Sequence, residues 1–325
     1  MTKNDEILHF LKDACGKPVS GEDISQRLGI TRAAVWKEIE ALRELGYEIE
    51  AQTNQGYSLT GIPDKLFADE ILDGLETEFM GKPLLSYDEI DSTNDAVFKM
   101  GEDGVPEGAA VFAEFQKKGR GRLGRSWISS KGKSVLFSYL LRPTLSPAQI
   151  SRVTLVAGVS AVRACRRITG KEIGIKWPND IYFQNRKIGG ILTEMSAESD
   201  RINFVVVGIG LNVNSSPEDL PEGSMALCEI AGHQIARIVF SQTLLREIEA
   251  DYVRLKKGLF KELAEEWETY SVTTGQRVSA RLLDRTVEGQ AVGIDADGAL
   301  WIRKDNGLQE RILSGDIQHL RPSLK

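Results

Sequence analysis

The sequence predicts an α+β protein in three parts: a winged helix-turn-helix over residues 1–64, a mixed α/β domain over 65–271 and a small β-barrel over 272–325. Three observations carry this. Helical periodicity interrupted by glycines and closed by a short hairpin fills the N-terminal stretch. Strand-like and helix-like runs then intermingle through the middle of the chain. Past Gly275 only short alternating runs remain, separated by turns such as Asp297-Gly298 and Asn306-Gly307.

Residues 4–14 place Ile7, Leu8 and Leu11 on one helical stripe. Ser20 can cap a second helix, with Ile24 and Leu28 facing inward and Gly29 as its terminator. Thr31 can cap a third, in which Val35, Ile39 and Leu42 recur at helical spacing until Gly46. Two alternating runs then flank Gln52-Thr53-Asn54-Gln55-Gly56, which predicts the wing. In such a fold the start of the third helix meets base edges. Thr31, Arg32, Ala33, Trp36 and Lys37 are therefore the expected DNA-binding residues. Residues 1–65 hold 8 Lys and Arg against 11 Asp and Glu, and the whole chain has net charge −6. No broad basic footprint exists, so binding needs a local contact surface and two copies on two half-sites.

Residues 61–64 read as a linker. Beyond it, strand-like runs cover residues 108–115, 134–141, 173–178, 180–183, 187–195 and 202–213. Helix-like runs cover 92–100, 146–168 and 241–268, the second with Ser146 as cap and Pro147 in its first turn. The N-terminus lacks a secretory pattern and no apolar run is long enough to span a bilayer, which predicts a cytoplasmic protein with no membrane partner. The three cysteines, Cys15, Cys165 and Cys228, have no metal-type spacing, and His9, His233 and His319 form no cluster. Reduced thiols and no protein-only metal site are expected.

The segment carrying most chemical information is Gln116-Lys117-Lys118-Gly119-Arg120-Gly121-Arg122-Leu123-Gly124-Arg125-Ser126-Trp127. Glycine lets a backbone approach a ligand closely, and arginine offers planar donors that match phosphate and carboxylate. Together they predict a flexible loop that closes over an anion. Gly119, Gly121 and Gly124 satisfy G-x-G-x-x-G, but residues 125–132 do not read as the apolar helix a dinucleotide site requires. Gly132-Lys133-Ser134 lacks the first glycine of a P-loop, because Trp127 stands there. Lys176-Trp177-Pro178-Asn179-Asp180 sets polar residues between apolar strand positions. Lys187 is followed by Gly189 and Gly190, and residues 208–212 read GIGLN, again glycine beside an amide.

In this order, Ser92-Thr93-Asn94, the GRGRLGR loop, KWPND, RKIGGIL and GIGLNV resemble the biotin–protein ligase family. With the winged helix in front, the whole chain resembles its bifunctional ligase/repressor branch. The likeness departs at Leu123, where some members carry arginine, and at Met225-Ala226-Leu227-Cys228, which follows the family pattern loosely. The resemblance implies a class II synthetase-like central domain and an SH3-like barrel. It implies formation of biotinyl-5′-AMP from biotin and ATP with Mg²⁺, followed by transfer to a lysine of the biotin carboxyl carrier protein. Ser92, Thr93, Asn94 and Gln116 would hold biotin; Arg120, Gly121 and Arg122 would close over carboxylate and phosphate. Lys187 would bridge those two groups. Arg122, Arg125, Trp127, Lys187 and Asn212 would hold ATP, the indole by stacking. Arg122, Lys187, Asp180 and Arg120 would be catalytic, with Asp180 near the acceptor lysine and Asn179 beside it. The C-terminal barrel would help bind ATP or acceptor, Arg321 being one contact. Biotinyl-AMP would favour a homodimer that binds operator DNA. Three alternatives stay open on sequence: a non-catalytic biotin sensor, a ligase for another acid such as lipoate, and a ligase without repressor activity.

Overall fold

A computed structural model describes residues 3–53, 55–282 and 284–320. It divides into two compact units, Met1–Asp64 and Lys65–Lys325.

The first unit contains α1 (Lys3–Asp13), α2 (Gly21–Leu28), α3 (Arg32–Glu44), β1 (Glu48–Gln52) and β2 (Gly56–Gly61). Its core is the predicted stripe: Ile7, Leu8, Leu11, Ile24, Val35, Ile39 and Leu42 are all buried. Both caps form. Ser20 Oγ accepts from Glu22 N at 3.1 Å, and Thr31 Oγ1 accepts from Ala34 N at 3.1 Å. Each satisfies an amide that the helix itself leaves open. β1 and β2 pair antiparallel as the wing, and Tyr57 also bridges Val19. Asn54, at the wing tip, lies outside the described residues.

The second unit is built on a seven-stranded sheet of order β3-β4-β5-β9-β8-β7-β6. Its strands are β3 (Leu84–Tyr87), β4 (Ala110–Ala113), β5 (Ser134–Leu141), β6 (Gly174–Lys176), β7 (Asp180–Phe183), β8 (Arg186–Ala197) and β9 (Ile202–Asn212). Only β3 and β4 run parallel. The short β3 and the helices α4 (Ala68–Leu72) and α7 (Leu227–Ala231) are additions to the sequence reading. Each is four or five residues long, too short to show a period. The helices α6 (Ile150–Thr169), α8 (Arg237–Lys256) and α9 (Phe260–Tyr270) join the main apolar core with Phe112, Phe137, Tyr139, Val207 and Ile209. A single helix over 241–268 is corrected here to two: the chain breaks at Gly258, whose φ of +78° no helix accommodates. Residues 147–149 form a tight turn before α6, and Gln149 Oε1 accepts from Ser146 N at 3.2 Å.

On the opposite face of the sheet, α5 (Thr93–Glu102) packs Val97 against Val111, Leu140, Phe204 and Val206. Strand residues of one face recur with period two. The α5 face of β9 therefore reads Phe204, Val206, Gly208, Gly210, Asn212: bulky under the helix, then bare. That change from side chain to glycine opens the cavity described below.

β10 (Arg277–Arg281), β11 (Thr286–Ile294), β12 (Leu300–Arg303), β13 (Gln309–Ile312) and β14 (Asp316–His319) form an antiparallel sheet of order β13-β12-β11-β10-β14. Its inward residues Val278, Ala280, Ala291, Leu300 and Ile317 merge with the main core. At the start of the unit, Leu66 N donates to Glu114 Oε1 at 2.7 Å, while buried Arg237 donates from Nη1 to Glu114 Oε2 at 2.7 Å. Among the described residues no helix is long and apolar enough to cross a membrane.

Candidate functional site

The second unit carries a cavity of about 940 Å³, its open mouth included. Of the predicted ligand residues, Ser92, Thr93, Asn94, Gln116, Arg120, Gly121, Arg122, Arg125, Trp127, Asp180 and Lys187 all line it.

One end is polar and dry. Ser92 precedes α5, and Ser92, Thr93 and Asn94 are each no more than 5% exposed. Gln116 Oε1 accepts from Thr93 N at 2.8 Å and from Thr93 Oγ1 at 3.1 Å. Ser138 Oγ lies 2.7 Å from Thr93 Oγ1 and donates to Asn94 Oδ1 at 2.6 Å. Asn94 Nδ2 in turn donates to Glu194 Oε2 at 2.7 Å. Each polar atom is oriented by another, so donors and acceptors are fixed before a ligand arrives. Gly208 makes this possible: a Cβ there would lie 2.0 Å from Asn94 Oδ1.

The other end is cationic. The loop from Gly119 to Trp127 is a small hairpin rather than an irregular flap. Arg120 bridges Ser126, Gly121 N donates to Arg125 O at 2.7 Å and Trp127 N donates to Gly119 O at 2.9 Å. Leu123 and Gly124 turn its tip with φ of +55° and +72°. No helix follows it, which removes the dinucleotide reading. Arg120 pairs with Glu194 and with Asp95, each at 2.8 Å. Arg125 pairs with Asp316 of β14, which raises the guanidinium pKa. Burial works against the Asp316 carboxylate, but the hydrogen bond to Arg125 prevails and holds its pKa below the usual range. Among the described residues Arg122 has only neutral partners, Asn179 Oδ1 at 3.1 Å and Gly315 O at 3.3 Å. Burial lowers its pKa, the sign of a charge short of compensation.

Lys187 and Asp180 face each other across β7 and β8 at 2.7 Å. Lys187 Nζ also sits 5.8 Å from the centre of the Trp127 ring. That ring lies against Gly210, where a Cβ would meet the indole at 2.6 Å. Trp127 Nε1 is buried with no partner among the described residues. Asn212 is the predicted residue that the structure sets apart: it does not line the open cavity. It continues the Gly210 face of β9 beneath Met225, whose carbonyl accepts from Nδ2 at 3.4 Å, and among the described residues its Oδ1 has no partner. Glu194, Asp316 and Lys176 were missed by sequence reasoning. Lys176 opens the KWPND motif and Glu194 lies in the strand run that begins at Lys187, but Arg120, the partner of Glu194, lies far away in sequence, as Arg125 does from Asp316.

On α3 of the first unit, Thr31, Arg32, Ala33, Trp36 and Lys37 are all exposed, Trp36 at 57%. The Trp36 indole is thus a large apolar group left more than half exposed at the start of the helix. Arg321 lies outside the described residues.

The chain matches an HTH domain over residues 4–58, the biotin/lipoate A/B protein ligase family over 87–212 and a biotin protein ligase C-terminal domain over 273–320. It is 38% identical to the bifunctional ligase/repressor BirA of Bacillus subtilis, across 98% of each chain. It is 31% identical to the protein of that name from Escherichia coli, across 94% of each. A biotin protein ligase from Aquifex aeolicus, solved with biotin and ATP, superposes with a TM-score of 0.64 at 33% identity, over 74% of this chain and all of that one.

Proposed function

Because this chain belongs to the biotin–protein ligase family, in the branch that joins the ligase to an N-terminal helix-turn-helix, we propose one cavity that makes biotinyl-5′-AMP, spends it on an acceptor and reports it to DNA. The protein is an ATP-dependent biotin–protein ligase and a repressor. The observation that carries the chemistry is the adjacency of a dry, pre-oriented polar end to a cluster of cations in one cavity.

Biotin enters ring first. Its polar ring groups meet Thr93, Asn94 and Gln116, and its carboxylate meets Arg122 and Lys187. A carboxylate oxygen attacks the α-phosphorus of ATP, and the bond to the β-phosphate oxygen breaks so that diphosphate leaves with the electron pair. Two anions are forced together, so oriented positive charge matters more here than acid–base chemistry. Arg120, Gly121 and Arg122 close over the joined carboxylate and phosphate. Arg125 and Lys187 hold phosphate, while the unpartnered Trp127 Nε1 and Asn212 Oδ1 support an adenine seat between the indole and the end of β9. Magnesium enters as part of the nucleotide substrate, which suits a hard cation that keeps phosphate and water ligands.

In the second step an acceptor amine attacks the acyl carbon and AMP departs. Ligand phosphate draws Lys187 from Asp180, which leaves the carboxylate to receive the incoming lysine as charge partner and proton acceptor. The acceptor is the biotin carboxyl carrier protein. Biotinyl-AMP holds the hairpin closed over the cavity and favours a homodimer, in which two copies of α3 read a two-fold operator in the cytoplasm. Closure around a ligand is an established switching device, and its coupling cannot exceed the ligand's preference for one state.

Incubation with biotin, Mg-ATP and a biotin-carrier domain tests the ligase by mass shift on the carrier. Lipoate in place of biotin tests the acid. Absence of biotin-dependent diphosphate release would leave a sensor rather than an enzyme. Sedimentation with and without biotinyl-AMP, and an operator gel shift, test the repressor switch.

A further inference from the structure

Five cationic side chains line the cavity: Arg120, Arg122, Arg125, Lys176 and Lys187. Three are already paired with carboxylates, as described above. Among the described residues Lys176 has no carboxylate within 4 Å; its ammonium lies 5.0 Å from the centre of the Tyr182 ring. A half-buried ammonium turned toward a cavity without a counter-ion is costly unless an anion completes it.

The backbone on either side of Lys176 is held firmly. Ile175 O accepts from Val272 N at 2.9 Å, and Trp177 N donates to Thr273 Oγ1 at 3.0 Å. The Trp177 indole is 2% exposed and donates to Gly298 O at 3.2 Å. The side chain is thus presented from a fixed point, with Asp180 and Asp316 near enough to act on its charge but no carboxylate in direct contact among the described residues. Lys176 faces Asp180 in the β6–β7 register and is close enough to Asp316, Lys187 and Arg125 to feel their charges. Burial lowers its pKa most; the carboxylates of Asp180 and Asp316 oppose that, and Lys187 and Arg125 add to it. A bound polyanion would restore it.

We propose that Lys176 is a binding residue for the diphosphate that leaves in the adenylation step. The assignment rests on the ligase reading and deepens it. Phosphoryl displacement runs in line, with the leaving group opposite the attacking oxygen. The carboxylate comes from the closed end formed by Ser92, Thr93 and Asn94, so the diphosphate lies toward the rim, where Arg125 and Asp316 stand. Lys176 stays protonated throughout. It donates hydrogen bonds to the oxygens on which the displaced electron pair collects. AMP retains none of those oxygens, so the second step does not need Lys176.

The experiment compares the full chain with Lys176→Gln and Lys176→Arg. Adenylation is read as biotin-dependent exchange of labelled diphosphate into ATP. Transfer is read as single-turnover biotinylation of a carrier domain from prepared biotinyl-AMP. Lys176→Gln is expected to slow exchange about 100-fold, the loss typical of one oriented donor. It should also raise the KM for diphosphate and leave transfer within a few-fold. Lys176→Arg should recover most of the exchange. Equal losses in both steps would overturn the assignment, since they mark a phosphate retained in the adenylate or a damaged fold; melting temperature separates those two. Unchanged exchange in Lys176→Gln would overturn it as well while leaving the ligase intact. A wild-type chain that cannot exchange would overturn the ligase reading, and this assignment with it.

Discussion

The ligase cavity and the recognition face of α3 both present arginine or lysine beside tryptophan, yet they treat the charge in opposite ways. In the cavity Arg120, Arg125 and Lys187 are matched to Glu194, Asp316 and Asp180 before any ligand is present. On α3 the Arg32–Glu22 contact is 3.9 Å between well exposed side chains, and Lys37 has no carboxylate within 4 Å among the described residues. The cavity must hold its donors in place for a reaction, so these three are positioned by carboxylates that a ligand can displace, while Arg122 and Lys176 are held without one among the described residues. A helix that reads DNA meets a polyanion whose counter-ions are released on contact, and charges left to water suit that proposed role. The same residue types thus serve preorganised chemistry in one unit and adaptable contact in the other.

The largest expected effect tests the cavity side of this contrast. Arg122→Gly removes a guanidinium that has only neutral partners among the described residues, and should slow adenylation by about 10²–10³-fold. It should also release biotinyl-AMP, seen as biotin on lysines of bystander proteins by mass spectrometry. Labelling confined to the natural acceptor would show that this residue does not close the site. Next, Gly208→Ala drives a methyl into Asn94. Biotin affinity by calorimetry should fall at least about tenfold, the cost of one or more misplaced buried hydrogen bonds, while operator binding by the same chain loses only what the missing ligand accounts for. On the helix side, Lys37→Ala should weaken operator binding and reduce the slope of log K against log salt by about 1. Biotin affinity should not move. A slope left unchanged would mean that Lys37 touches no phosphate. The smallest effect is expected from Asp316→Asn. Its pair with Arg125 sits at the rim, where such pairs contribute about 0–1 kcal/mol, so KM for ATP should change by no more than about fivefold. A larger loss would move Arg125 from the rim to the centre of the chemistry.

The sequence displayed the winged helix almost completely, because its core is local: Ile24 and Val35 meet within one short stretch, and Ser20 and Thr31 cap helices beside them. The cavity was legible by residue type but not by partner. Arg122, Lys187 and Asp180 stood out as chemistry-bearing groups. That Arg125 meets Asp316, or that Gly208 exists for Asn94, depends on strands far apart in the chain. Short elements such as β3 and α7 escaped because four or five residues cannot display a period. The break at Gly258 was hidden because apolar spacing continues on both sides of it. Asn212 was legible from its place beside GIG, but its hydrogen bond to the Met225 carbonyl, thirteen residues on, was not.

Glu114 binds the amide of Leu66 and the guanidinium of Arg237 at once, two residues before Gln116. The anchor therefore begins just past Asp64, at the start of the second unit. A chain severed between Asp64 and Lys65 keeps it whole, whereas removal of two further residues deletes an amide that a buried carboxylate depends on. Leu66 therefore marks the first backbone amide that this buried carboxylate holds.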